Sequence, residues 1–389
     1  MISHTCSYHK YNIRRPVLCT HTYELDAGEH VIDMDMYVRG GNYKIHHATS
    51  LVTVRALSAA ASSAKEEGGS CSGHTAQTLL DTYQSATYSV GCTRGSLFNL
   101  DSRFANAGPW QLSSRTGRVR ITYRTRAYVR ADYCYSARID YARLEIRPKI
   151  DGHSLGAAGT VLAHAQYREE YVNGPILVDL VHDVGVGSFK LSLDGYFQGY
   201  STNLYGNSHW STLRVEDIPK EERKPESANL PAGCKGYPRR YLIQTHVASQ
   251  SRLVNTNGGN SWLVMKDGSS QQNKLRFTVL QDKTRLRLYV KVQAYVAENR
   301  YYGSASSSMR LTPYIDNKAQ GVCCDRKTVV YTFYSDYEEG AQTCSMEFSL
   351  DKGEHTFQLQ HFGRGDESTV RSGSGTSVIL LEELVHRTY

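Results

Sequence analysis

Gly69-Ser70-Cys71-Ser72-Gly73 followed by His74 is the nearest approach in this chain to a cysteine nucleophile beside a base. A thiol needs a rigid, oriented base to act as a nucleophile. The stretch adjoins Ala59-Ala60-Ala61-Ser62-Ser63-Ala64-Lys65-Glu66-Glu67-Gly68, whose small and charged residues carry no apolar stripe. That composition predicts a linker, so no catalysis is expected there. No HExxH pair, Walker loop or GxSxG elbow occurs anywhere in the chain. The expectation is a protein that is not an enzyme and needs no cofactor.

Metal chemistry fares no better. His46-His47 is the adjacent histidine pair, and neighbours on a strand point to opposite faces, so the two do not chelate one ion. Cys6, Cys19, Cys71, Cys92, Cys134, Cys234, Cys323, Cys324 and Cys344 have irregular spacing and form no pair of CxxC knuckles. Nine is odd, so at least one thiol has no partner inside the chain, and buried free thiols in a reducing cytosol are the expectation.

Two further groups could recognise a partner. Arg364-Gly365-Asp366 is a tripeptide that some animal receptors read as an adhesion signal, and its polar residues predict a hairpin tip, a candidate binding loop. Tyrosines such as Tyr133, Tyr135, Tyr141, Tyr301 and Tyr302 offer broad apolar faces with polar tips, suited to a sugar or a protein surface. The net charge of +7 is spread among acids, with no basic block beyond Arg14-Arg15 or Arg239-Arg240, so nucleic acid is not an expected partner.

The elements that must position these residues are strands. Tyrosine outnumbers phenylalanine 28 to 9, and 32 glycines accompany many serines, threonines and valines, a mixture suited to half-exposed strands and tight turns. Val119, Ile121 and Tyr123 alternate with polar residues, as do Leu286, Leu288, Val290 and Val292. A period of two marks strands with one buried face. Apolar runs such as Val378 to Leu381 are far too short for a membrane span, and Met1 to Cys6 does not read as a secretory signal.

The chain also repeats itself. Phe348 to Leu359 resembles Tyr23 to Met34, with Leu, Asp, Gly, Glu and His in register, so that Gly353 and His355 fall on Gly28 and His30. Gly187-Ser188-Phe189-Lys190-Leu191-Ser192-Leu193 aligns with Gly353 to Leu359, and at the same offset Leu213 to Ile218 aligns with Ile379 to Leu384. Arg147-Pro148-Lys149-Ile150-Asp151-Gly152 matches Thr312-Pro313-Tyr314-Ile315-Asp316-Asn317, and Ala127-Tyr128-Val129 matches Ala294-Tyr295-Val296. Gly28, Gly187 and Gly353 then share a turn position that favours positive φ, with His30 and His355 in a common packing role.

These matches predict an all-β protein of tandem antiparallel β-sandwich or jelly-roll units. The units are placed at 58–219 and 241–389, joined by a linker at 220–240, with 1–57 as an orphan C-terminal half of the unit. Half a sandwich leaves an apolar face and strand edges uncovered, so 1–57 is expected to be completed by another segment or another molecule. Trp110 and Trp262 are expected at related, largely buried places early in the two units.

The run Gly353-Glu354-His355-Thr356-Phe357-Gln358-Leu359, the glycine-rich Thr369 to Thr376 and the closing Val378 to Leu384 resemble the end of jelly-roll, tumour-necrosis-factor-like domains in virion structural proteins of tailed bacteriophages. Leu213 to Ile218 is similar to the same closing strand. The resemblance implies a tail, fibre or head-decoration component, oligomeric and without cofactor. Its implied partners are copies of itself, other virion subunits and a host-surface glycan, with no membrane insertion. Its implied setting is a virion assembled in the host cytoplasm. Gly353 to Leu359 also resembles strands of some carbohydrate-binding sandwiches, which leaves an extracellular glycan binder as the alternative.

Overall fold

The computed structural model describes residues 77–134, 137–138, 141–164, 170–206, 211–219, 240–298, 305–330 and 336–384. Apart from a 3-10 turn at Asp101–Arg103, the regular elements among them are strands. All pairings between them are antiparallel, as expected of sandwich units. Gly28, His30, the Gly69 to His74 stretch, the His46-His47 pair and the half unit 1–57 lie outside the described residues.

In the first unit, Arg118–Ala131 is the central strand of one sheet. It is flanked by Glu170–Asp183 on one side and by Thr212–Asp217 and Ser201–Tyr205 on the other. The facing sheet runs Gly159–His164, Tyr141–Ile150, Gly187–Gly199, Thr93–Asn99, with Trp110–Ser114 beside the start of Gly187–Gly199. Val119, Ile121, Tyr123, Ala127 and Val129 from the first sheet meet Leu144, Ile146, Leu191, Leu193 and Phe197 from the second, all fully buried. Removing each such side chain from water contributes about 1.5–3 kcal/mol.

The second unit repeats the pairing of the first at many positions. Thr284–Glu298 is again flanked by Asp336–Leu350 and Ser377–Leu384. Leu381 lies opposite Leu288 as Val215 lies opposite Ile121. Pro313 lies opposite Leu359 as Pro148 lies opposite Leu193. Even a bulge recurs, at Leu79 where Gln77–Thr82 pairs with Thr212–Asp217, and at Leu242 where Arg240–Thr245 pairs with Ser377–Leu384. Arg240, assigned from the sequence to the linker, is the first residue of that strand, and its guanidinium is 2.6 Å from Glu383. One difference matters for the sheets. Gly353–Val370 is continuous and joins both sheets, whereas its counterpart is interrupted at Tyr200.

The paired hairpin signals have a common geometry. Asp151 and Gly152 have φ of 50° and 81°, and Asp316 and Asn317 have 49° and 63°, the double positive φ of a tight two-residue hairpin. Each aspartate also fastens its hairpin to the next strand: Asp151 Oδ1 accepts from the Lys190 N–H and Asp316 Oδ1 from the Thr356 N–H, both at 2.8 Å.

The tryptophans do not correspond. Trp110 is buried and lies opposite Leu191, a place taken in the second unit by Leu275 opposite Phe357. Trp262 is half-buried and lies opposite Gln360, a place taken in the first unit by Asn99 opposite Asp194. The two indoles sit on opposite faces of their sheets, because a shift of register by one residue exchanges core and solvent faces.

Candidate binding face and inter-unit junction

Gly187 and Gly353 open their strands with φ of 123° and 151°. A Cβ at Gly187 would meet nothing within 4 Å, so glycine serves the backbone conformation there and not a close contact. His355 links this turn to the hairpin: Nδ1 is 2.7 Å from Asp316 Oδ2, Nε2 is 2.9 Å from the Asp351 carbonyl, and the ring lies 5.6 Å from that of Phe277. Burial works against ionisation of Asp316, yet hydrogen bonds from His355 and the Thr356 N–H hold its carboxyl below the usual range.

Arg364-Gly365-Asp366 is not a hairpin tip. It lies inside Gly353–Val370, with Arg364 opposite Ser308 and Gly365 opposite Thr256. The strand Gly353–Val370 runs unbroken through the tripeptide. Gly365 has φ of 102°, its backbone lies against Ser307, and the Asp366 N–H donates to Ser307 Oγ at 3.2 Å. A tripeptide held in a sheet is not presented as an adhesion loop.

Cysteine chemistry also differs from expectation. Cys323 and Cys344 form a disulfide across a Cα–Cα distance of 5.4 Å, within the usual range for a bridge, and Cys92 is disulfide-bonded as well. In the first unit the positions of Cys323 and Cys344 are held by Ala158 and Val178, both buried, so this bridge is not repeated.

Two places on the described surface combine several polar groups. The first is the junction between the units. Arg120 Nε and Nη2 donate to the Asp179 carboxylate at 2.9 and 2.7 Å, with Asp179 buried and the guanidinium 4.8 Å from the Tyr289 ring. Lys291 is fully buried, and its Nζ donates to the Ala158 carbonyl of the first unit at 2.7 Å and to Gly375 of its own unit at 3.3 Å. Burial pushes its amine down to about 8, against the pull of Asp179. Gln293 Nε2 donates to Thr160 O at 3.3 Å, and Arg118 donates to Gln244 at 2.9 Å. Ile218 and Val181 meet Tyr241, Tyr289, Val378 and Leu380 in a small apolar cluster between the two cores. Gly375 comes so close to Leu155 that a Cβ would lie 2.7 Å from its carbonyl oxygen.

The second is the outer face of the sheet built on Gly353–Val370. Trp262 and Tyr314 meet edge to face, centroids 5.0 Å apart at 77°, and Tyr314 Oη donates to Gln360 at 3.2 Å. Arg310 lies 6.0 Å from the Phe362 ring. Of the tyrosines singled out from the sequence, the side chains of Tyr133 and Tyr141 lie outside the description, as do Tyr135, Tyr301 and Tyr302 altogether. Trp262, Tyr314 and Phe362 were hidden because each reads as an ordinary half-buried strand residue. Aligning outward positions of the two copies would have shown them.

Among the described residues no group of three or more metal-binding side chains converges, and no helix is long and apolar enough to cross a membrane. No protein-family model matches the chain, and no curated protein matches it. Solved structures align only loosely. The N-terminal CBM22 tandem domain from Paenibacillus barcinonensis is 10% identical, covering 80% of this chain and 98% of that one, with a TM-score of 0.15. The ANX2 ectodomain from Arabidopsis thaliana is 8% identical over 79% of this chain and 89% of that one, TM-score 0.16. The T13 particle of infectious bursal disease virus gives 10%, 81%, 78% and 0.16. At these scores the likenesses bear on nothing beyond an all-β chain.

Proposed function

We propose that this chain is a non-enzymatic assembly protein, a structural subunit of a virion of the phage-like type, packing through its β-sandwiches against copies of itself and other subunits. The observation that carries the reading is the inter-unit junction. Two independent binding modules need only a tether between them. Here the first unit's Arg120 stacked on the Tyr289 ring, a buried lysine reaching a carbonyl of the other unit and an apolar cluster hold one relative placement. Buried polar contacts of this kind favour one arrangement over others, since any slip leaves charges unpaired in a dry interface. A subunit that must repeat identical contacts around a particle needs that fixed geometry.

The Cys323–Cys344 bridge supports a finished state outside a reducing cytosol, as for a released particle or an extracellular protein. A second reading, a pair of carbohydrate-binding modules, draws on the aromatic outer face of the second unit alone; the equivalent face of the first unit is occupied by ion pairs between Lys149 and Asp194 and around Glu145. Sedimentation velocity of the full chain over a range of concentrations tests the assembly reading. One closed oligomer of fixed size is expected; a monomer at every concentration would refute it.

A further inference from the structure

The two copies invite comparison at equivalent outward positions. In the first unit these are Asn99, Lys149, Ser192 and Asp194; in the second they are Trp262, Tyr314, Gln358 and Gln360. The first set is satisfied internally: Lys149 pairs with Asp194, and Asn99 Nδ2 donates to Asp194 at 3.3 Å and to Asp101 at 3.1 Å. The second set has exchanged every charge for an aromatic ring or a primary amide.

One of those amides has no partner. Gln358 is 9% exposed, its neighbours Phe357 and Leu359 point into the core, and it makes no hydrogen bond to any described residue. Its amide atoms are not fully enclosed, so a ligand can reach them and satisfy both senses of hydrogen bond. Beside it, on the strand opposite, stands Tyr314, whose ring forms a near-perpendicular corner with the Trp262 indole. The indole N–H has no hydrogen-bond partner among the described residues either.

We infer that this corner is a binding site for a neutral saccharide. A pyranose has an apolar face that rests on an aromatic ring and equatorial hydroxyls that both donate and accept. A primary amide also does both, so Gln358 and Gln360 match hydroxyls in either sense. The four positions carry no formal charge to select an acidic sugar or a phosphate. The site belongs to the second unit alone and stands apart from the junction, so it holds or falls independently of the assembly reading.

The test is a glycan array carrying neutral and sialylated or sulfated oligosaccharides, probed with the full chain, followed by titration of the best neutral ligand. Trp262→Ala is expected to weaken that ligand by about tenfold or more, through loss of the stacking surface. Gln358→Leu, similar in volume, should weaken it about five- to tenfold while leaving the melting temperature unchanged or higher. Tyr196→Ala, on the equivalent face of the first unit, should leave affinity unchanged. Binding of acidic glycans only, binding of none, or binding indifferent to both Trp262→Ala and Gln358→Leu would overturn the inference. So would a change in oligomeric state on Trp262→Ala without any glycan binding, which would make the face a contact between copies.

Discussion

Replacing Asp179 by alanine tests the junction directly. The carboxylate accepts two hydrogen bonds from Arg120, and the two side chains are only 2% and 12% exposed. Its charge also opposes the burial-driven fall of the Lys291 amine. Asp179→Ala therefore strands a guanidinium and burdens a buried ammonium at once. Breaking a buried pair by removing one partner costs about 3–5 kcal/mol, most of it the desolvation of the charge left behind. Removing both partners, as in Arg120→Met with Asp179→Leu, leaves no orphan charge from the pair and should recover most of the loss, since apolar pairs of similar volume are often neutral or better. Guanidinium unfolding of the full chain, followed by tryptophan fluorescence and circular dichroism, reads both effects. The wild-type chain should unfold in one transition, and Asp179→Ala should lower its midpoint, since the pair lies within the first unit and also supports the charge on Lys291 across the junction. A loss below about 1 kcal/mol would show that the pair is solvated and not the buried contact described here.

Other expectations follow from the same structure. His361 is buried between Ser251 Oγ at 2.9 Å and Ser368 Oγ at 3.0 Å, and burial holds its pKa at about 4. Between pH 6.5 and 4 the unfolded chain binds the extra proton and the folded chain does not, so stability should fall by about 3 kcal/mol as pH drops through that window; His361→Gln should flatten this part of the denaturant-midpoint profile. Gly375→Ala should cost about 1–3 kcal/mol, because its Cβ has no room against the Leu155 carbonyl, and calorimetry should show the loss of coupling between units. Cys323→Ala with Cys344→Ala opens a loop of sequence separation 21 and should cost about 2–4 kcal/mol. Peptide mapping before and after reduction should find Cys323 and Cys344 linked to each other.

The duplication was legible because it is written in paired positions under strong constraint. Pro148 and Pro313, Asp151 and Asp316, Gly187 and Gly353 are each fixed by a ladder position or a positive-φ turn, and they survive as recognisable residues. What the sequence hid was relational. The two tryptophans share a residue type and a rough place, yet strand register puts one in the core and the other on the outer face. Arg364-Gly365-Asp366 has turn composition, but Ser307 and the pairing to Ser308 keep it in a strand. The disulfide escaped because comparison of copies rewards what repeats, and its counterparts are Ala158 and Val178. The junction was invisible for a like reason: Lys291 alternates as any solvent-facing strand lysine would, and its shorter hydrogen bond goes to the other unit's Ala158 carbonyl.

Electron microscopy of the purified full chain reads directly whether two copies of one sandwich act as a rigid subunit for assembly. Closed, symmetric particles whose subunits show two lobes at one fixed angle are expected. Isolated two-lobed molecules with a broad spread of inter-lobe angles would contradict this.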